Sequence, residues 1–452
     1  MTQCNTQTTF DFFHRLPVVV QADAPSISSD AGVLLLRQMD ETMGLTRTLA
    51  SVLPDSRRQD RVVHARHEQL RQRVFQIALG YEDCNDANSL RNDPLIKVAC
   101  GRKPNDDKGL SSQPTLSRFE NDLPGSVIGR LLRKLENEWV KSLDPERKVV
   151  ILDIDSSDDE THGGQQLTFF NGFYNHYMYH PLFVFDDDGQ LVSAVLRPGN
   201  RHASRGARGL LRRLIRKVRS RCPAAAIVVR ADSGFAVPRI LDELDKLNRT
   251  LGGVDYLLGL KRNPVLQRRL KGSMERLAEQ GLKREGLRNF TEFSYAAGSW
   301  SRARRVIGKA EDTLGKPNPR FLVTSIEGFE PEDLYRGYCE RGQSENHLKD
   351  LKRALAADRL SCHRFAANFL RLVMHAAAYR LMFAIRRAAG QVSESFARLQ
   401  FDTLRLRLLK VAGLVRQSAR RILVQLPESY PLAQVFHAVS ENISKIPARA
   451  PS

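Results

Sequence analysis

A chain of 452 residues exceeds what one hydrophobic core organises, so two to four packed units are expected. The 42% hydrophobic share excludes a disordered tail, and 70 Lys and Arg against 51 Asp and Glu, a formal +19, point to a polyanionic partner, of which nucleic acid is the commonest. The cysteines at 4, 84, 100, 222, 339 and 362 include no C-x-x-C pair or partnered histidine spacing, which excludes a zinc site and a disulfide framework.

In chain order, the start MTQCNTQTTFDFF has no basic segment leading into an apolar run, so no secretory signal is expected. Ser29 is positioned to cap a helix through Val33, Leu34, Leu35 and Met39, and a second helix is predicted over Asp60 to Leu79. After a polar loop, Gly101 to Gly109, Pro114 opens a short helix whose Gln113, Thr115 and Arg118 suit either a DNA groove or an ordinary connection. The pattern then turns β-branched. Strands are predicted at Lys148–Asp155, Tyr179–Asp186 and Gln190–Leu196, the last two hinged on Asp188-Gly189. A basic helix over Ala203–Arg219, a strand at Ala226–Asp232, a helix opened by Pro238 and a strand at Asp255–Leu260 follow. Arg262 to Arg320 reads as a basic insertion with strand-like Asn289–Tyr295 and Ala303–Ile307. Beyond it come a strand at Phe321–Ile326 and a long helix over Pro331–Leu355. The most apolar stretch, Phe369–Ile385, contains Arg371, His375 and Arg380 and so reads as a buried helix rather than a membrane span. Alternation at Leu404, Leu406 and Leu408, and again at Ile422, Val424 and Leu426, predicts a hairpin around Gly413.

The order strand, strand, strand, helix, strand, helix, strand is that of a ribonuclease H-like mixed sheet flanked by helices. The fold class expected is therefore multidomain α+β, with a helical N-terminal DNA-binding domain (1–145), a core in two parts (146–261 and 321–390), a β-rich insertion (262–320) and a C-terminal domain (391–452) for DNA contact or dimerisation. Nine Lys or Arg and no acid between Arg201 and Arg221, and thirteen against four acids between Lys261 and Ala310, make these the segments expected to neutralise phosphates.

The sharpest chemical feature is Tyr338-Cys-Glu-Arg341-Gly-Gln-Ser-Glu345, continuing to Lys352. At about 100° per residue these four side chains share one helix face, a carboxylate beside two cations and a phenol; a solvated charged face would also scatter such residues. Asp155 ends the first strand and Asp232 the fourth, and alternation turns Val150, Leu152 and Ile154 to one side and Asp153 with Asp155 to the other. Three carboxylates gathered around divalent ions are a means of activating water or a 3′-hydroxyl against a phosphodiester. Without cations they would repel and raise one another's pKa.

These residues resemble the DDE insertion-sequence transposases with the Y-x2-R-x3-E-x6-K signature: Tyr338, Arg341, Glu345 and Lys352 complete it, with Asp155-Ser156 and Ala231-Asp232-Ser233-Gly234-Phe235 matching the family's two Asp stretches. The resemblance implies that Asp155, Asp232 and Glu345 ligate two Mg2+ ions, with Mn2+ able to substitute, and that Tyr338, Arg341 and Lys352 hold phosphates of the terminal inverted repeat. Asp153 and the nearby Asp158, Asp159 and Glu160 compete for the first position. Trp300, in the insertion, is expected either to stack on a DNA base, as an aromatic does in similar transposases, or to pack in the insertion's own core. The implied protein is a cytoplasmic, nucleoid-associated enzyme that acts as a homodimer on double-stranded DNA, both element ends and target. A ribonuclease H-like nuclease without strand transfer, and a non-catalytic DNA-binding regulator, are the alternatives.

Overall fold

The structure, a computed structural model, describes residues 7–10, 12, 16, 18–280, 288–313 and 316–447; Cys4, Lys283 and Arg284 lie outside them. It divides into two units, one of the residues to Phe119 with those from Leu381 onward, the other from Glu120 to Arg380.

The first unit is mainly helical. Its helices include Val33–Met43, Arg66–Leu79 and Ala433–Lys445. Gly32, rather than Ser29, stands at the start of the first. In its interior Arg71 pairs with Asp40 at 3.2 Å, and Gln72 both donates to and accepts from the backbone of Ser111. The C-terminal hairpin is formed by Gly413–Gln417 and Ile422–Gln425 and turns at 418–421, not around Gly413. Leu404 to Leu409 is helical, with Leu404, Leu408 and Leu409 buried and Leu406 exposed; the i, i+4 spacing, not the i, i+2 one, decided the local structure. The short helix Gln113–Asp122 forms as predicted, with Arg118 exposed and Gln113 and Thr115 half-buried.

The second unit is built on a nine-stranded mixed sheet. Its strands are β1 (Val149–Ser156), β4 (Leu182–Asp186), β5 (Leu191–Val195), β6 (Ala226–Ala231), β7 (Val254–Leu260), β8 (Arg288–Tyr295), β9 (Arg304–Thr313) and β10 (Arg320–Thr324), with Lys316–Pro317 paired off the main path. Between β1 and β4 the chain makes a small separate three-stranded sheet, in which the hairpin of β2 (Phe169–Asn171) and β3 (His176–Tyr179) is joined through β3 by Asp159–Glu160. The main order is β8-β9-β10-β7-β6-β1-β4-β5. β1, β6 and β7 run parallel, and the remaining neighbours are antiparallel. The strand-like pieces of the basic insertion thus continue the main sheet through β10. The insertion also carries a helix that the sequence reading did not predict, Pro264–Gln280, whose Leu266, Leu270 and Leu277 are buried at helical spacing.

The two faces of the sheet are covered differently. Val150, Leu152 and Ile154 of β1 and Ile227 and Val229 of β6 share one core with Trp139, Leu210, Leu214 and Leu244, which lie on helices α1 (Gly125–Ser142), α2 (Ala207–Arg221) and α3 (Pro238–Leu251). The other face carries Leu257, Ile307 and Leu322, packed against Leu334 of α4 (Pro331–Cys339). Strand alternation therefore turns Asp153 and Asp155 away from the large core, toward the α4 side.

Much of the positive charge is used inside this unit. Arg208 and Arg212 of α2 bind Glu243, and Arg213 and Lys217 bind the buried Glu136. Arg302 and Arg304 bind Asp245. The basic segments expected to meet phosphates thus spend many of their cations tying α2 and β9 to neighbouring helices. Among the described residues no cysteine pair is joined and no helix is long and apolar enough to cross a membrane.

Candidate active site at the ends of two parallel strands

Register places the first two carboxylates. Ile154 of β1 is level with Ala231 of β6, so Asp155 and Asp232, the next residue on each, emerge side by side. Asp232 Oδ1 accepts from the Gly234 amide at 2.8 Å, which shapes the turn Asp232-Ser-Gly-Phe235. Asp155 accepts from the Ser156 amide at 2.8 Å and from Arg341 Nη1 at 3.1 Å. Burial pushes the Asp155 carboxyl up, and the neighbouring charge of Asp232 pushes the same way against the pull of Arg341.

Asp153 is engaged elsewhere. Its two oxygens accept 2.7 Å hydrogen bonds from Nε and Nη2 of Arg230, level with it on β6. The same guanidinium donates to the Gly337 carbonyl of α4 at 2.7 Å. It thereby fixes the C-terminal end of α4 over the sheet, just where Tyr338 and Arg341 leave it. The sequence signal was there: Arg230 interrupts an apolar strand two residues before Asp232, on the same side.

Gly259 of β7 admits the next group. A Cβ there would lie 2.8 Å from the Tyr338 hydroxyl and 2.9 Å from the Ser233 amide nitrogen, so only glycine lets the phenol rest beside the Asp232–Ser233 turn. The Arg341 guanidinium stands 5.9 Å from the Tyr338 ring centroid. Burial works against that guanidinium's charge, yet Asp155 and Tyr338 hold its pKa above the ordinary value. Beside Asp232 and Tyr338 opens a cleft of about 760 Å³, lined also by Lys261, Arg262 and Arg320, all exposed.

The predicted single helix over Pro331–Leu355 is interrupted. α4 ends at Cys339, α5 runs Gly342–Lys349, and Asp350–Ala354 is a wider π-helical turn. Between them Arg341, Gln343 and Ser344 donate to the carbonyls three residues back, a 3₁₀ pattern. Each 3₁₀ residue turns the chain roughly 20° further than an α-helical one, so the break rotates Glu345 and Lys352 relative to Tyr338 by several tens of degrees from a continuous helix. Tyr338 and Arg341 meet the carboxylates. Lys352 reaches the loop after β1, donating to Asp158 O at 2.8 Å and Ser157 Oγ at 3.1 Å. Glu345 is exposed, and among the described residues no three His, Cys, Asp or Glu side chains gather to hold a metal ion.

Trp300 is half-buried against the large core. Tyr295 meets its ring at 77° with centroids 5.5 Å apart, and the Arg304 guanidinium lies 5.2 Å from it. These contacts show packing and leave the stacking role expected of Trp300 to a DNA-binding measurement.

A family model described as transposase DDE domain group 1 matches residues 10–448. Among solved structures, the cryo-EM piggyBac transposase synaptic complex with hairpin DNA is similar at 12% identity, covering 93% of this chain and 86% of that one, with a TM-score of 0.42. No curated protein sequence matches the chain.

Proposed function

The chain belongs to the transposase DDE domain group 1 family, and from that premise we propose that it cuts the terminal inverted repeats of an insertion sequence and joins the exposed 3′-hydroxyls to target DNA. The observation that carries the reading is the pairing of Asp155 with Asp232 at the ends of adjacent parallel strands, with Arg341 and Tyr338 closing over them. The core is read as ribonuclease H-like, on the strength of three antiparallel strands (β5, β4, β1) continued by two parallel ones (β6, β7), each preceded by a helix.

The donor set fits a hard cation. Magnesium takes oxygen ligands, keeps several waters and needs only one or two carboxylates plus substrate phosphate, and a half-buried, mutually repelling pair such as Asp155 and Asp232 gains from it. Asp155 and Asp232 would hold the ion or ions, with Glu345 as third ligand once the tightened turn between Tyr338 and Ser344 relaxes. Bound Mg2+ or Mn2+ supplies Lewis-acid stabilisation and a deprotonated nucleophile. The protein's own part is orientation. Arg341 opposes the burial that raises the Asp155 carboxyl and, with the cleft cations Lys261, Arg262 and Arg320, holds phosphates so that the attacked ester lies over the carboxylates. Lys352 braces the loop after β1. A homodimer pairing two ends in the nucleoid completes the proposal.

The test is a duplex carrying the element's end, incubated with Mg2+ and wild type, Asp155→Asn, Asp232→Asn or Glu345→Gln protein. Wild type is expected to nick the end and the variants to fail. Equal nicking by all four ends the reading.

A further inference from the structure

The hairpin of β2 and β3 exposes aromatic surface that no packing accounts for. Phe173 at its tip is 88% exposed, Tyr177 58% and Phe170 51%. Phe170 and Tyr177 are cross-strand partners whose rings meet edge to face at 5.7 Å. Apolar groups clustered at this exposure mark a binding surface more often than chance placement.

Its position says what for. Phe173 stands edge to face on Tyr174, with centroids 4.9 Å apart. Tyr174 is half-buried and feels the charges of Asp158, Asp155 and Asp232, which add to burial in raising its hydroxyl to about 12. β3 also pairs with Asp159–Glu160, and His176 Nε2 stands 3.4 Å from Asp158 Oδ2, so the hairpin is anchored to the segment that leaves β1 just after Asp155. The flank is basic. Asn171 Nδ2 donates to the Gly199 carbonyl at 2.9 Å, and His180, edge-on to Tyr174, contacts the Arg201 carbonyl at 2.7 Å, which ties the hairpin to a loop bearing exposed Arg201 and Arg205. A Cβ at Gly199 would sit 2.0 Å from the Met178 carbonyl oxygen, so the loop lies hard against the hairpin's backbone. Exposed π faces beside cations and next to phosphodiester chemistry are the elements of a single-strand platform.

We propose that the hairpin Phe169–Tyr179 is a base-stacking finger, on which Phe173, with Phe170 and Tyr177 behind it, takes the faces of unpaired bases in the strand whose phosphate lies at Asp155 and Asp232. This rests on the transposase reading of the same site and adds to it a preference for locally unpaired DNA. Stacking is tolerant of sequence, since every base has a π face, so the finger acts on strand opening and not on end recognition.

The probe is a duplex of the element's end, fully paired or with three nucleotides unpaired at the cleavage position, bound by fluorescence anisotropy in Ca2+ and then assayed for nicking in Mg2+. Wild type is expected to bind the unpaired duplex roughly tenfold more tightly, Phe173→Ala to bind the two alike, and Phe173→Trp to keep the preference. Phe173 is exposed, so neither substitution opens the core; matching melting temperatures check this. Wild type that nicks but shows no preference, or Phe173→Ala that retains it, overturns the finger alone. Wild type that neither binds nor nicks overturns the transposase reading with it. A DNA-free dimer that Phe173→Ala disperses assigns the surface to a second copy of the chain and also overturns the proposal.

Discussion

Asp153 and Arg230 face each other across the parallel pair of β1 and β6 and share two hydrogen bonds of 2.7 Å, whereas Asp155, two residues on, shares its site with another carboxylate. The two aspartates should therefore answer differently to the same substitution. Asp153→Asn leaves Arg230, 4% exposed, with only the exposed Glu340 carboxylate at 3.4 Å as counter-charge and should cost about 2–4 kcal/mol of stability, while nicking per folded molecule falls little. Asp155→Asn removes a repulsion and should leave the melting temperature unchanged or raised, while nicking falls by at least about a hundredfold. Denaturation and single-turnover nicking on both variants check the contrast; a stable, inactive Asp153→Asn would reverse the assignment.

Gly259→Ala adds one methyl group where 2.8 Å separates the Cβ position from the Tyr338 hydroxyl. The Ser233 amide on the other side is backbone, so the phenol or the Asp232 turn must move. Misplacement on the ångström scale costs about a hundredfold in rate. Gly298→Ala, which meets nothing within 4 Å, is the control and should nick like wild type. Equal rates for the two variants would show that Tyr338 has no positioning role.

Trp300→Ala tests packing against base stacking. A half-buried indole that holds Tyr295 and Arg304 should cost about 2–3 kcal/mol when truncated, somewhat below a fully buried one. DNA affinity of the folded protein should be unchanged. A Trp300→Ala protein of wild-type stability with weakened end binding would restore the stacking role.

How far the sequence carried depends on the range of the interaction. Strands β1, β6 and β7 were legible because apolar β-branched runs report burial locally, and Asp155 and Asp232 because each ends such a run. The helix break at Glu340–Arg341 was not read, although Gly342 stands beside it: Arg336 to Leu351 has no proline, and a glycine weakens a helix without saying whether the chain steps to 3₁₀ there. Trp300 and the α2 arginines were ambiguous for another reason. Whether Arg213 or Lys217 meets a phosphate or Glu136 is settled by a residue 77 or 81 positions away, beyond any periodicity. Phe173 and its neighbours lie in a stretch to which the sequence reading assigned no element, and only the fold shows them outside the core.

Asp186, at the end of β4, gives a pH dependence with a definite sign. It is 2% exposed and accepts from Trp139 Nε1 at 2.6 Å and the Gln190 amide at 2.7 Å. Burial outweighs both bonds and pushes its carboxyl from 3.8 up to about 7. Between those values the folded chain binds more protons at this group than the unfolded chain does, so its contribution to stability declines as pH rises from about 4 to about 7 and is level above. The decline is at most about 4 kcal/mol, from 1.36 kcal/mol per pKa unit. Asp186→Asn cannot ionise, so the variant should gain on wild type across that window, other titrations cancelling in the difference. Denaturant midpoints followed by tryptophan fluorescence at pH 5, 6, 7 and 8 measure it. Parallel profiles for the two proteins would mean that Asp186 is ionised throughout, with the indole and the Gln190 amide sufficient to hold the charge in the interior.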